Sequence, residues 1–150
     1  MILSAHLLAG AVIASKISNP ILALPLALLS HYFLDLLPQT EYSISNIKAK
    51  RWSKSLLDWS KVFLDISFGI LLIYLFSDKS PLIFIGAIPA IIPDGMTLVY
   101  ILFPGKKLIK LHHKFHQTVN NVYDTETKRK PALWGIFMQI IIALIAIFLL

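Results

Sequence analysis

Residues 20–37 read PILALPLALLSHYFLDLL. An apolar run of this length approaches the roughly 20 residues a helix needs to cross a bilayer, yet His31 and Asp35 stand near its end. An imidazole or carboxylate in hydrocarbon is expensive and needs a partner, so each such residue marks a candidate functional site. His6, Asp65 and Asp94 are placed the same way inside other apolar segments. Five such residues in one small chain point to one shared site.

Working outward, further apolar stretches lie at 2–17, 56–77, 81–103 and 132–150. With 57% hydrophobic and 15% charged residues and a mean hydropathy of +0.73, the chain falls outside the range of ordinary soluble domains. The expectation is an all-α polytopic membrane bundle, a single integral membrane domain over 1–150. It has five transmembrane helices and one or two interfacial ones. The polar turn Ser15-Lys16-Ile17-Ser18-Asn19-Pro20 joins the first two helices into a hairpin, and Ser77-Asp78-Lys79-Ser80-Pro81 joins the third and fourth into a second. In both, the proline suits the first turn of the following helix. Residues 38–55 are expected to hold a short interfacial helix. Residues 104–131 carry an amphipathic surface helix around Lys106 to His116 and an exposed loop over 124–130.

Orientation follows from the basic residues, since Lys and Arg in short loops stay on the cytoplasmic side. Lys48, Lys50, Arg51, Lys54, Lys106, Lys107, Lys110, Lys114, Lys128, Arg129 and Lys130 fall on one expected face, against Lys16 and Lys79 on the other. That predicts an N-in, C-out protein of the cell (inner or plasma) membrane. The basic face attracts anionic lipid head groups, so the net charge of +6 needs no nucleic-acid partner.

Depth makes the ionisable residues informative. At about 1.5 Å rise per residue, His6 lies about 7 Å below the cytoplasmic face, His31 about 9 Å, and Asp65 and Asp94 about 14 Å. All share one half of the membrane. His31 and Asp35 are four apart on one helix face, where they can hold one cation or each other. With no cysteine in the chain, a metal must be held by imidazole and carboxylate, which suits zinc, manganese or iron. In Pro89-Ala90-Ile91-Ile92-Pro93-Asp94 two prolines four apart weaken the helix beside Asp94. Non-helical backbone at that depth is tolerated only under protein or beside a wet cavity. The later His112-His113-Lys114-Phe115-His116 can turn two imidazoles inward together; His112 with His116 is the expected pair and His113 the alternate. Asp58 and Lys61 read as an interfacial ion pair. Asp65, deeper on the same helix, is expected to face the bundle as the catalytic general base.

The His6 segment with Ala9-Gly10, the Ser30-His31 and Asp35 block, Pro93-Asp94-Gly95 and the histidine cluster together resemble the small bacterial inner-membrane proteins described as membrane-bound metal-dependent hydrolases. Those are similar in pattern to zinc-dependent phospholipase C-like proteins. The resemblance implies a helical membrane bundle in which His6, His31, Asp35, Asp94 and His116 coordinate a metal, with hydrolysis as the chemistry. The expected function is hydrolysis of a lipid-type (phospho)ester at the cytoplasmic leaflet. An ion or proton pathway and a non-catalytic structural membrane protein are the competing classes. The chain has no serine-nucleophile motif, glycine-rich phosphate loop or His-Glu-x-x-His.

Overall fold

Proline and asparagine punctuate the helices as their chemistry requires. Asn19 Oδ1 accepts from the Ile21 N–H at 2.9 Å, so helix α2 (Pro20–Asp35) begins on an asparagine cap with proline in its first turn. Helix α1 (Leu3–Lys16) precedes it. A computed structural model describes residues 2–127 and 132–150, and every regular element among them is helical. Residues 38–55 supply the short helix α3 (Ser45–Lys48) and a 3-10 turn at Trp52–Lys54. Helix α4 (Leu56–Phe76) follows.

The double-proline segment breaks its helix as expected. Helix α5 (Pro81–Ala87) gives way to a 3-10 turn at Pro89–Ile91, from which α6 (Ile92–Leu102) departs. Helix α7 (Lys107–Thr127) is amphipathic and takes up 124–127, which the sequence suggested as loop. Lys128, Arg129 and Lys130 lie outside the described residues. Helix α8 (Ala132–Leu149) ends the bundle.

Among the described residues two helices are long and apolar enough to cross a membrane, Leu56–Phe76 and the interrupted Pro81–Leu102. The other apolar helices are shorter. The 14 residues of α1 rise about 21 Å against a hydrocarbon core of about 30 Å. Helix α1 is also the centre of the molecule, packed by α2, α4, α5 and α8. Helices α4 and α5, the arms of the expected second hairpin, both pack chiefly on α1.

The core beside α1 comprises Leu7, Leu8, Ala11, Ile73, Ile83, Ala87 and Ala146. Its tightest seam joins α1 to α5. A Cβ on Gly10 would stand 2.7 Å from the Gly86 carbonyl oxygen, and one on Gly86 would run into Ala14, so glycine at both positions permits the close approach. Away from the core, large apolar side chains such as Phe33, Phe63, Phe68, Leu75, Phe137 and Phe148 are exposed. That is far more apolar surface than a soluble monomer shows.

Residues 38–48 form a strap fastened at both ends. Asp58 on α4 accepts from the backbone N–H of Asn46 at 2.8 Å and of Ile47 at 3.2 Å, and Ile47 is fully buried. Lys61 Nζ donates to the Ser43 carbonyl at 3.1 Å. At the other end Gln139 Nε2 donates to the Thr40 carbonyl at 2.6 Å. The Asp58 carboxylate keeps the expected ion pair with Lys61 at 3.9 Å and also holds the start of α3.

Candidate metal centre

Four helices deliver five side chains to one point. His6 comes from the first turns of α1, His31 and Asp35 from the end of α2, Asp94 from the first turn after the proline break, and His116 from α7. Asp35 is the hub. Its Oδ2 lies 2.9 Å from His116 Nε2 and 3.1 Å from His31 Nε2, and its Oδ1 lies 3.3 Å from His6 Nε2. Asp94 Oδ1 is 3.6 Å from His116 Nε2 and 3.9 Å from His31 Nε2. His6 stacks on His31 with ring centroids 4.0 Å apart. His6, His31 and Asp35 have no exposed surface, whereas the Asp94 side chain is 25% exposed.

The outer faces of the rings set their inner faces. His31 Nδ1 is 2.7 Å from the Ala90 carbonyl oxygen; a carbonyl only accepts, so Nδ1 carries the proton and donates. In the neutral ring, His31 Nε2 then presents a lone pair to the cluster. His116 Nδ1 is held 3.0 Å from the Thr97 hydroxyl, with Nε2 again pointing inward. The two Nε2 atoms are 2.8 Å apart. A proton or a cation stands between nitrogens this close, and His116 Nε2 is also within hydrogen-bond distance of Asp35 Oδ2. Partners on the outer ring nitrogen are how proteins orient metal-binding histidines.

The residues fit a metal. Atoms bound to one ion at about 2.0–2.2 Å stand roughly 2.8–3.6 Å from one another, close to the separations found. Two groups, His6 with His31 and Asp94, and His31 with Asp35 and His116, each place their ligand atoms within 4.8 Å of one another. His6 supplies the independent sign, because both of its ring nitrogens are buried without a hydrogen-bond partner. Its 3.3 Å approach to Asp35 is off the angle of a hydrogen bond. The donor set is borderline to hard, with imidazole and carboxylate, and suits a divalent ion.

Two expected members fall elsewhere. His112 Nε2 is 3.0 Å from the Tyr32 hydroxyl, and His112 belongs to neither group that could hold an ion. His112, one turn back from His116, turns its Nε2 to this hydroxyl rather than to the cluster. Burial holds the His112 imidazole below its ordinary value, and the neighbouring His116 adds to this. His113, the alternate, stacks on Tyr100 with centroids 4.2 Å apart. Burial, then His116 and Lys48, lower it as well.

Asp65 is not an uncommitted base. Its Oδ2 accepts from the Leu3 N–H at 2.6 Å and its Oδ1 from the Ser4 N–H at 3.1 Å. Helix α1 lacks a side-chain cap of its own, and Asp65 supplies one from α4, where a carboxylate also complements the helix dipole. Tyr42 faces the same carboxylate. Burial first, and Asp65 next, push its hydroxyl well above the usual range. Thr97 and the Ala90 carbonyl are the functional groups that motif spacing missed. Thr97 follows Asp94 by three residues on α6, so helix periodicity contained the signal.

On one side the cluster opens to a cavity of about 660 Å³, reached by Asp94 and His116. Helices α4 and α6 line it with Val62, Ile66, Leu98 and Ile101, while α7 and the strap contribute Gln117, Asn120, Gln39 and Tyr42. Gln39 Nε2 donates to Asn120 Oδ1 at 3.3 Å. Comparison of the chain with protein-family models, with curated proteins and with solved structures finds no match to any of them.

Proposed function

We propose that this protein is a membrane-embedded, metal-dependent hydrolase acting on a lipid-type (phospho)ester from the inner leaflet. The carrying observation is the convergence of three Nε2 atoms and two carboxylates on one point, two of whose residues also line a cavity. His6, His31, Asp35 and His116 hold the ion, and Asp94 completes the set from the cavity side. A divalent ion, zinc in the first instance, supplies Lewis acidity toward an ester oxygen. Thr97 and the Ala90 carbonyl orient the rings. Asp94, whose side chain is 25% exposed against none for Asp35, is placed to take a proton from water entering the cavity.

In this proposal all five apolar helices cross the membrane, N-in and C-out, with α5 and α6 as one broken span. The shortness of α1 is met by its enclosure in protein, and the exposed apolar belt faces lipid. Lys50, Arg51 and Lys54 after the strap and the lysines at the start of α7 meet anionic head groups, and the resemblance to membrane-bound metal-dependent hydrolases supports the same assignment. A transport pathway is less well supported, because next to His6 the bundle closes with the apolar core around Leu7, Leu8 and Ala11.

The test is elemental analysis of purified protein beside His31→Ala and Asp94→Asn, followed by ester hydrolysis assays. The expected result is a divalent ion near one per chain in the parent, lost in His31→Ala and reduced in Asp94→Asn, with hydrolysis following metal content. No ion in the parent, or equal content in all three, would overturn the proposal.

A further inference from the structure

Helix α7 carries three unlike faces. At about 3.6 residues per turn, Ile109, His112, His113, His116 and Asn120 fall on its inner side. Leu108, Leu111 and Phe115 lie within about 60° of one another on the outer side, and Lys107, Lys110 and Lys114 form a second stripe of about the same width beside them. The inner side grips the bundle through polar and aromatic contacts. His116 reaches Asp35 and Thr97, His112 the Tyr32 hydroxyl and Asn120 the Gln39 amide, while His113 stacks on Tyr100. Over the described stretch 107–121 no apolar side chain is buried, and His116 is the one buried residue. A helix with so few buried apolar contacts sits at the low end of a protein's local stabilities, yet this one delivers a member of the cluster.

The outer side has the chemistry of a boundary between water and lipid. Leu108 is 79%, Leu111 65% and Phe115 55% exposed, and the three lysines are exposed as well. No Asp or Glu occurs between Lys106 and Asn121. An apolar stripe flanked by lysines seats its apolar side chains against acyl chains and its ammonium groups on anionic head groups. A second copy of this chain, with 14 Lys and Arg against 8 Asp and Glu, offers these lysines a poorer partner. Turned over on the surface, α7 would press imidazoles and Asn120 into lipid, so the surface favours the orientation in which they face the bundle. We infer that α7 is a clasp: an anionic membrane surface binds its outer face, and that docking keeps His116 in the cluster. A surface that binds only docked α7 raises the docked population by its own binding energy. The inference rests on the proposed metal centre for its effect on an ion, and not for the lipid contact.

The test compares the full chain in discs of phosphatidylcholine alone with the chain in discs of phosphatidylcholine and phosphatidylglycerol. Hydrogen exchange over 107–121 reads docking without reference to an ion, and a zinc competition titration reads the site. Three lysines at about fivefold each limit the gain to about a hundredfold, and anionic discs are expected to slow exchange over 107–121 and to raise zinc affinity about tenfold. Lys107→Gln, Lys110→Gln and Lys114→Gln together should remove both differences, whereas Lys16→Gln with Lys79→Gln should remove neither. Leu111→Cys gives a chain without cysteine a single thiol, and a polarity-sensitive dye on it should report an apolar environment in anionic discs. A dye response that follows protein concentration instead of lipid charge would assign the face to a second copy and overturn the inference. Exchange over 107–121 that is the same in both discs would also refute it, as would zinc affinity that ignores lipid charge in a parent that binds zinc; either result leaves the metal centre standing. Lipid-dependent exchange that persists in His31→Ala supports the clasp even if the parent holds no ion.

Discussion

Replacing Asp35 with asparagine is the most informative single change. The substitution keeps the shape but removes the negative charge shared among His6, His31 and His116, whose Nε2 atoms lie 3.3, 3.1 and 2.9 Å from its oxygens. In the parent, an ion present at about 1,000 times its dissociation constant adds about 4.1 kcal/mol to folding stability. For a chain of 150 residues that corresponds to roughly 8–16 °C in melting temperature. Weakening the site about 1,000-fold brings the dissociation constant up to the ion concentration and leaves about 0.4 kcal/mol. Asp35→Asn should therefore melt at nearly the same temperature with and without chelator, whereas the parent should lose several degrees when chelator is added. Thermal unfolding in detergent, run beside metal analysis, reads both quantities. If Asp35→Asn retains a full complement of ion and the parent's response to chelator, the cluster is not a metal centre.

Thr97→Val removes the hydroxyl at His116 Nδ1 and is expected to lower metal affinity 10- to 100-fold, with Thr97→Ser restoring it in a chelator competition titration. Asp65→Ala strips the N–H groups of Leu3 and Ser4 of their acceptor and should destabilise the protein by about 1–3 kcal/mol with metal content unchanged; loss of hydrolysis at full stability and full metal would instead restore Asp65 as the base. Gly86→Val drives a side chain into Ala14 across the α1–α5 seam and should cost about 1–3 kcal/mol or more. Gly95→Ala meets open space and should be neutral or raise the melting temperature, since alanine is the better helix former by about 1 kcal/mol.

Much of the fold is written locally. Asn19-Pro20 and Ser80-Pro81 mark helix starts that the structure places at the same residues, and Pro89 and Pro93 mark the break. His31 and Asp35 were legible together because a four-residue spacing puts both on one helical face. What escaped depends on packing between distant segments. No local pattern says that α4 and α5 pack chiefly on α1. Asp65 reads as a buried acid awaiting chemistry because the uncapped helix it serves lies 61 and 62 residues away. His112 and His116 share a face, but the Tyr32 hydroxyl, 80 residues away in sequence, takes His112 Nε2. Of the five apolar stretches, two reach the length of a membrane crossing among the described residues; hydropathy alone does not separate these from shorter helices, because a short helix wrapped in protein is apolar for the same reason as one wrapped in lipid.

The 85-position separation of His31 and His116 has a bearing on biogenesis. During synthesis His6, His31 and Asp35 leave the ribosome while α7 has yet to be made. A nascent chain halted before residue 116 thus holds two imidazoles around one carboxylate and lacks the third. Completion of this polar knot coincides with the docking of α7, so trapping the ion would report that the late half of the molecule has assembled onto the early half.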